Sequence, residues 1–516
     1  MQVAAWARGR VLLILVGLLG AAAVVCRVWA LDRLPGLNAD EAWLNVRAID
    51  FLAGKSIDLY TPSGNPLNPF LALPVLLLEA LRSNASILNL RIVTAIAGIS
   101  LMVLSYPLTR KVIGAQCALV FTLLVWVMPA HIAYGRMGWD ASETPLVALL
   151  CLASLLHRRT HWMVLSTFAA VWVHPTNVFL VPILAGGMAG QVIWERRRLT
   201  PGEWAWVGCG LLAVAAFFVW RVFGSASFPH GSPEFFSGDF ITGLVVETGR
   251  FLSGVTTLQY IVGPMNRSVV LLFDFVFWSA VLILLLTGLP ERIRTRDGTV
   301  MGLILGTLVA LVVVAASGGL LFVIPGFERY ALFLTVPSCY IFASLLVRPT
   351  VAHDAAEARP SPSVAVAIAL VASFLWLGVF IAQYHVKLET RGSRSYALFN
   401  SGEQEPKAAA FALIQADAEA GPVLIIAENY WTYWPMRYFG ARDSRIQVEL
   451  FNAESARELI TPRYASHAVF AVGFSKGALA QSIERGRSSR EWGRPVWKQS
   501  FNDPQDLPIL DVWRLR

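Results

Sequence analysis

Residues 66–82 read PLNPFLALPVLLLEALR, and whether this stretch crosses a bilayer decides the fold. It is apolar, yet it holds Pro66, Pro69 and Pro74, and Glu79 sits inside it. Counting it as a span reverses the sidedness of everything that follows. The excess of Lys and Arg on cytoplasmic loops settles the choice. With 66–82 on the outer surface, Arg8/Arg10, Arg110/Lys111, Arg158/Arg159, Arg196/Arg197/Arg198, Arg292/Arg294/Arg296 and Arg348 all fall inside. With 66–82 spanning, only the N-terminal cluster stays there.

A membrane helix needs about 20 mostly apolar residues. Candidate spans are 11–31, 89–109, 113–130, 142–157, 203–223, 269–289, 299–323, 330–347 and 363–384. The run 162–193 is broken by His174-Pro175-Thr176-Asn177 into two short spans, since Pro cannot continue a helix. The first span is too long for a signal-peptide core and no A-x-A site leads into a soluble domain, so it is expected to stay. The expectation is an α-helical polytopic membrane domain, 1–384, with about eleven transmembrane helices and a cytoplasmic N-terminus. Its outer loop 32–88 should carry juxtamembrane helices.

Composition agrees. Of 516 residues, 56% are hydrophobic and 15% charged, and mean hydropathy is +0.58. Soluble proteins carry about 25% charged residues, and disorder needs low hydrophobicity, so both classes are excluded. The net charge of +8 lies mostly in the membrane part, because residues 385–516 hold 17 Lys plus Arg against 15 Asp plus Glu. The charge therefore reports topology, and no nucleic-acid partner is expected. Cys26, Cys117, Cys151, Cys209 and Cys339 lie in apolar runs without a CxxC, which argues against a disulfide framework or a zinc site. Residues 385–516 read as a soluble extracytoplasmic α/β domain, with apolar runs Val423–Ala427 and His467–Gly473 each followed by a helix-like stretch.

The outer loops carry the candidates for chemistry. Asp40 and Glu41 sit just after the first span; they could equally cap the next helix. The second loop offers Arg136, Asp140 and Glu143 beside Tyr134 and Trp139, which could be interfacial anchors. His174 marks the third. Glu328, Arg329 and Tyr330 open a span, where the charges could neutralise each other. Lys55 lies in the first loop, and Asp274 a few residues inside a span, where an ionisable residue is a functional candidate. One topology brings these loops to one face. Carboxylates there could activate a hydroxyl, and Arg or Lys could hold a phosphate.

The segments LNADEAWLNVRA (37–48), NPLNPFLALPVL (65–76), LRIV…LTRKVIG (90–114), AYGRMGWD (133–140) and ERYALFLTVP (328–337) resemble, in order and sidedness, the GT-C glycosyltransferase superfamily. The resemblance is to glycosyltransferase family 39 and its relatives, the protein O-mannosyltransferases and lipid A aminoarabinose transferases. It covers about residues 10–350. Trp43 stands where many relatives have Tyr. The resemblance implies transfer of a sugar from a polyprenyl-phosphate donor to a glycan, lipid or protein hydroxyl at the outer membrane face, with inversion. Asp40 would be the general base, with Glu41 beside it. Arg136, Arg329 and Lys55 would stabilise the phosphate. Asp140 would orient substrate or share a divalent cation (Mg or Mn) with Asp40, because some relatives use a metal. Glu143, His174, Glu328 and Tyr330 would line the substrate site.

Residues 428–439 hold three Tyr, two Trp and a Phe after Asn429. This helix could pack on the membrane domain, or Tyr430, Trp431 and Trp434 could form an acceptor-side wall, since aromatic faces pack on sugars. A transporter or flippase of a lipid-linked or anionic substrate is the alternative from another class. Transporters place polar groups near the midplane, whereas here the charges gather at one face. Arg outnumbers Lys 36 to 6, which points to a GC-rich bacterial genome, and the chain would then sit among the lipids of the inner membrane with its site facing the periplasm; in a eukaryote the outer face would be the endoplasmic reticulum lumen, with Asn84-Ala85-Ser86 and Asn266-Arg267-Ser268 as sequons.

Overall fold

The computed structural model describes residues 2–55, 60–61, 65–82, 86–224, 238–318, 328–347, 364–392, 406–418, 421–452, 464, 466–489, 495–502 and 506–516. The end of the expected span 299–323, Gly326, Phe327 and Arg348 lie outside these residues.

The chain opens with α1 (Gln2–Val28), then two short helices, α2 (Ala39–Leu52) and α3 (Pro69–Leu81). Asn38 caps α2 in a capping box with Glu41, and Asn68 caps α3 with Pro69 in its first turn. The 13 residues of α3 cover roughly 20 Å at 1.5 Å per residue, short of a 30 Å hydrocarbon core. Its two faces differ. Phe70, Leu73, Leu77 and Leu81 are exposed at helical spacing, while Leu71, Val75 and Glu79 are buried. A juxtamembrane helix needs this pattern.

The bundle continues through α4 (Ile87–Ile113), α5 (Ala115–Val127), α6 (Pro129–Tyr134), α7 (Thr144–Leu156), α8 (Thr160–Val173), α9 (Leu180–Ile193) and α10 (Pro201–Gly224). It closes with α11 (Gly238–Leu252), α12 (Val255–Val262), α13 (Arg267–Arg294), α14 (Gly298–Gly318), α15 (Thr335–Leu346) and α16 (Val364–Phe380). Among the described residues, eight helical stretches are long and apolar enough to cross a membrane. The other three expected spans are α5, α7 and α8, of 13 or 14 residues. The chain is a multi-pass membrane protein.

Two packing features orient the bundle. The 27 residues of α4 run about 40 Å, from Arg91 at one end to Lys111 at the other. Lys111, Arg158 and Arg292 line one polar cavity at the Lys111 end, so these basic clusters share an end. Second, α9 and α14 touch backbone to backbone through Gly186, Gly190, Gly298 and Gly302. A Cβ added at Gly190 would lie 1.8 Å from the Gly298 carbonyl oxygen. Small residues permit such an approach where helices pack in lipid.

After α17 (Lys387–Arg391), the tail folds as α18 (Pro406–Asp417), β1 (Val423–Ala427), α19 (Tyr430–Gly440), β2 (Ile446–Leu450), β3 (Ala468–Phe474), α20 (Ala478–Ser489), β4 (Trp497–Asn502) and β5 (Pro508–Arg514). The sheet order is β2-β1-β3-β5-β4. β1 pairs in parallel with β2 and β3, and β5 pairs antiparallel with β3 and β4. Both expected apolar runs are central strands. α19 packs across α2 through Trp434 and Tyr438, which share a buried cluster with Trp43, Leu44 and Val75.

Candidate active site

At the Arg91 end of the bundle a cavity of about 290 Å³ opens between the first outer loop, the second outer loop, the start of the Glu328–Leu334 turn, and α19. Asp40, Asn68, Asp140, Arg329, Tyr330, Tyr430 and Trp431 are among its lining residues. The capping box puts Asp40 in the first turn of α2, where its side chain lines the cavity. Its Oδ1 accepts a 2.7 Å hydrogen bond from the Tyr430 hydroxyl. Its Oδ2 lies 3.5 Å from Arg329 Nη2. The Asp40 side chain keeps 33% of its surface exposed and Arg329 13%.

The Arg329 guanidinium carbon lies 4.6 Å from the Trp139 ring centroid and 4.7 Å from that of Tyr330. Electron-rich ring faces this close hold a planar cation in place. Its Nη2 also donates to the Tyr330 hydroxyl at 3.0 Å. His174 stacks on Tyr330 at 4.9 Å and places Nε2 3.9 Å from Asp140. The Asp140 Oδ1 accepts from the backbone of Ala141 at 2.8 Å.

Burial raises the carboxyl pKa of Asp40; Arg329 and the Tyr430 hydrogen bond oppose this, while Asp140 and Glu41 add to it. Burial likewise raises Asp140, against the pull of Arg329. Glu143 closes the turn ahead of α7, rather than lying inside that helix, and burial pushes it up to about 7. Asn68 donates to it at 2.9 Å and to the Asp140 carbonyl at 3.2 Å.

The structure separates the sequence candidates. Asp40, Asp140, Arg329, Tyr330, Tyr430 and Trp431 meet at the cavity, with His174 behind Tyr330. Six others turn away. Glu41 is fully buried in a bidentate pair with Arg91 at 2.8 and 2.7 Å, and it also accepts from the backbone of Gly138 and Asn38. Arg136 is fully buried and donates to the Cys26, Trp29 and Leu34 carbonyls, which tethers the end of α1. Lys55 pairs with Asp50 at 2.8 Å, away from the cavity. Glu328 is buried and accepts a hydrogen bond from Tyr134. Trp434 lies under Arg47 and Arg437, packed on α2. Asp274 pairs with Arg250 at 2.9 Å. Sequence reading missed Asn68, visible as a helix cap within NPLNPF, and Tyr260, whose hydroxyl is 3.5 Å from Arg329. Nothing in VTTLQYIV (255–262) marked Tyr260 out, since Thr256, Thr257 and Gln259 share that short helix.

A helical bundle, loops gathered at one end around a cavity, and a small sheet domain capping them define the GT-C membrane fold. No family model matches the sequence, and no curated protein does. Among solved structures, ArnT from Cupriavidus metallidurans in the apo state aligns over 99% of this chain and 98% of its own, with 12% identity and a TM-score of 0.60. The same enzyme bound to undecaprenyl phosphate aligns over 98% of each chain, with 12% identity and a TM-score of 0.56. The Archaeoglobus fulgidus oligosaccharyltransferase, crystallised with Zn and sulfate, aligns over 93% of this chain and 69% of its own, with 12% identity and a TM-score of 0.47. At 12% identity the likeness to ArnT establishes the fold, as the motif resemblance implied.

Proposed function

We propose that this chain is a membrane glycosyltransferase that passes a sugar from a polyprenyl-phosphate donor to a hydroxyl on a glycan, lipid or protein. The observation that carries the reading is a carboxylate, Asp40, facing a ring-packed arginine, Arg329, across one cavity wall. The ArnT structure bound to undecaprenyl phosphate supports a lipid-phosphate donor.

In this reading the acceptor oxygen attacks the anomeric carbon as its proton passes to Asp40. The bond from that carbon to the phosphate oxygen breaks, and polyprenyl phosphate leaves with the electron pair. A single displacement inverts the carbon. Phosphate leaves without protonation, so one carboxylate suffices. The raised pKa makes Asp40 a stronger base, and such proton transfer contributes roughly 10²–10⁴-fold. Arg329 stabilises the departing charge. Asp140, Tyr330, His174 and Asn68 shape the sugar side; Trp431 shapes the acceptor side.

Asp40 and Asp140 do not fit a shared divalent cation. Asp40 Oδ1 accepts from Tyr430, its Oδ2 lies beside the Arg329 guanidinium, which repels a second cation, and one Asp140 oxygen is held by backbone. Among the described residues no group of three His, Cys, Asp or Glu gathers. The basic clusters at the far end support a site on the outer face, which in this reading is the periplasm of a bacterial inner membrane.

The test is Asp40→Asn, assayed in proteoliposomes with a panel of undecaprenyl-phosphate pentoses and hexoses. Transfer should fall at least about 100-fold with the melting profile unchanged. A well-folded, active variant would remove the mechanism.

A further inference from the structure

We infer that Tyr430, delivered by the C-terminal sheet domain, is a positioning residue for Asp40, so that the active site is complete only with that domain docked. This rests on Asp40 being the base.

Three observations carry it. First, the Tyr430 hydroxyl has one proton to give and gives it to Asp40 Oδ1 at 2.7 Å. An aspartate in the first turn of a helix can turn about its side-chain bonds; a donor on Oδ1 fixes that turn and leaves the Oδ2 edge for an incoming hydroxyl. Second, Tyr430 is itself held from behind. Asn429 caps α19 in a reciprocal box with Thr432. Glu428, one residue earlier, accepts 2.6 Å bonds from the backbone of Phe474 and Ala478, pinning the end of β1 to α20. The ring meets Trp431 and Trp434 edge-on at 5.7 and 6.4 Å. Third, the domain is tied to the helices that carry Asp40 and its neighbours. Arg437 donates to Asp50 at 2.9 Å, Arg442 to Glu79 at 3.2 Å and Lys407 to the Leu37 carbonyl at 2.5 Å. The tail thus reaches the site through a preset helix end.

The charged and titratable groups around Asp40 are Glu41 on its own helix, Asp140 from the second loop, Arg329 and Tyr330 from the Glu328–Leu334 turn, and Tyr430 from α19. Tyr430→Phe removes one hydroxyl and leaves the ring packing and every other group. A hydrogen bond to the ionised form favours it, so its loss moves Asp40 titration upward. A bond to a charged group is worth enough to shift it by about one pH unit, a tenfold effect.

The experiment uses full-length protein in liposomes and two readouts. Infrared titration follows the carboxyl band that Asp40→Asn removes. Transfer is measured with whichever undecaprenyl-phosphate sugar the wild type uses. In Tyr430→Phe the Asp40 midpoint should rise about one unit, with kcat down about tenfold, its acid limb moved by the same amount, and KM for the lipid donor unchanged. Tyr433→Phe, whose hydroxyl accepts from Arg437 Nη1 at 3.0 Å on the same helix, should leave both readouts at wild type. An unmoved midpoint in Tyr430→Phe, or equal shifts in both variants, overturns the inference. An active Asp40→Asn variant beside a shifted midpoint would instead overturn the base assignment.

Discussion

Asp40 and Glu41 are chain neighbours, and substituting them should give opposite phenotypes. Glu41→Ala removes a carboxylate that is fully buried with Arg91, each side chain 0% exposed. The loss is broader than one ion pair. Arg91 keeps its bonds to the Leu31, Pro35 and Gly36 carbonyls but loses its countercharge, and the N–H groups of Gly138 and Asn38 lose their acceptor. Breaking a buried pair from one side costs about 3–5 kcal/mol, because a charge is left in a low dielectric. Each orphaned N–H adds on the order of 1 kcal/mol, and the effects overlap. We expect about 5 kcal/mol in total, enough to exhaust much of a typical folding free energy of 5–15 kcal/mol. Asp40→Asn, by contrast, removes a carboxylate whose pKa burial has raised, so ionised Asp40 already costs the fold energy above that pKa. Its stability should change by no more than about 1 kcal/mol. The assay is thermal unfolding in one detergent, with Arg91→Met/Glu41→Leu as the double variant that removes both charges. The double variant should recover part of the loss. A Glu41→Ala protein that melts like wild type while losing transfer would refute the structural assignment of Glu41 and return it to the chemistry.

Two further outcomes are expected from the burial and packing of other residues. Glu143 has a folded pKa of about 7 against 4.5 for the free side chain. Its neutral form therefore belongs with the folded state: the associated stability is present in full below about pH 4.5 and is lost as pH rises through 7. Glu143→Gln should flatten the melting temperature between pH 5 and 7.5 and add up to roughly 3 kcal/mol above pH 7; an unchanged pH slope would count against it. At the α9–α14 contact, Gly190→Leu forces the helices apart and should abolish recovery of monodisperse protein. Gly208→Ala, where an added Cβ meets nothing within 4 Å, should be silent. Equal yields from the two variants would disprove the close-packed contact.

Much of the architecture was legible because the bilayer imposes one-dimensional rules. Length and apolarity located the spans, and the placement of Lys and Arg separated 66–82 from them. The break at His174-Pro175 falls between α8 and the turn leading to α9. Continuous apolar runs gave two of the three inner strands of the tail, β1 and β3. The glycines joining α9 and α14 went unread, because i, i+4 spacing within each helix says nothing about which helix is the partner.

The site was harder. Sidedness gathered the candidate loops at one end but could not orient a side chain on its loop. Glu41 and Arg136 looked as able as Asp40 and Arg329 to serve the chemistry, since a charge near a membrane surface carries no mark of where it points. The structure parted them by burial. Glu41 and Arg136 lie where no water reaches, so each must be satisfied by protein, Glu41 by Arg91 and backbone amides, Arg136 by the carbonyls ending α1.

What the sequence by itself determined is the membrane fold, which loops share one end of the bundle, and the short set of charges there from which a site could be built. These follow from the cost of burying backbone and charge in hydrocarbon, which acts on every residue in order along the chain. Only the tertiary structure decided that Asp40 and Arg329 share a cavity while Glu41 does not, and that a tyrosine 390 residues away hydrogen-bonds Asp40. Those contacts join distant loops and two domains. They depend on how helices pack and which face of α2 is covered, and no local pattern encodes that.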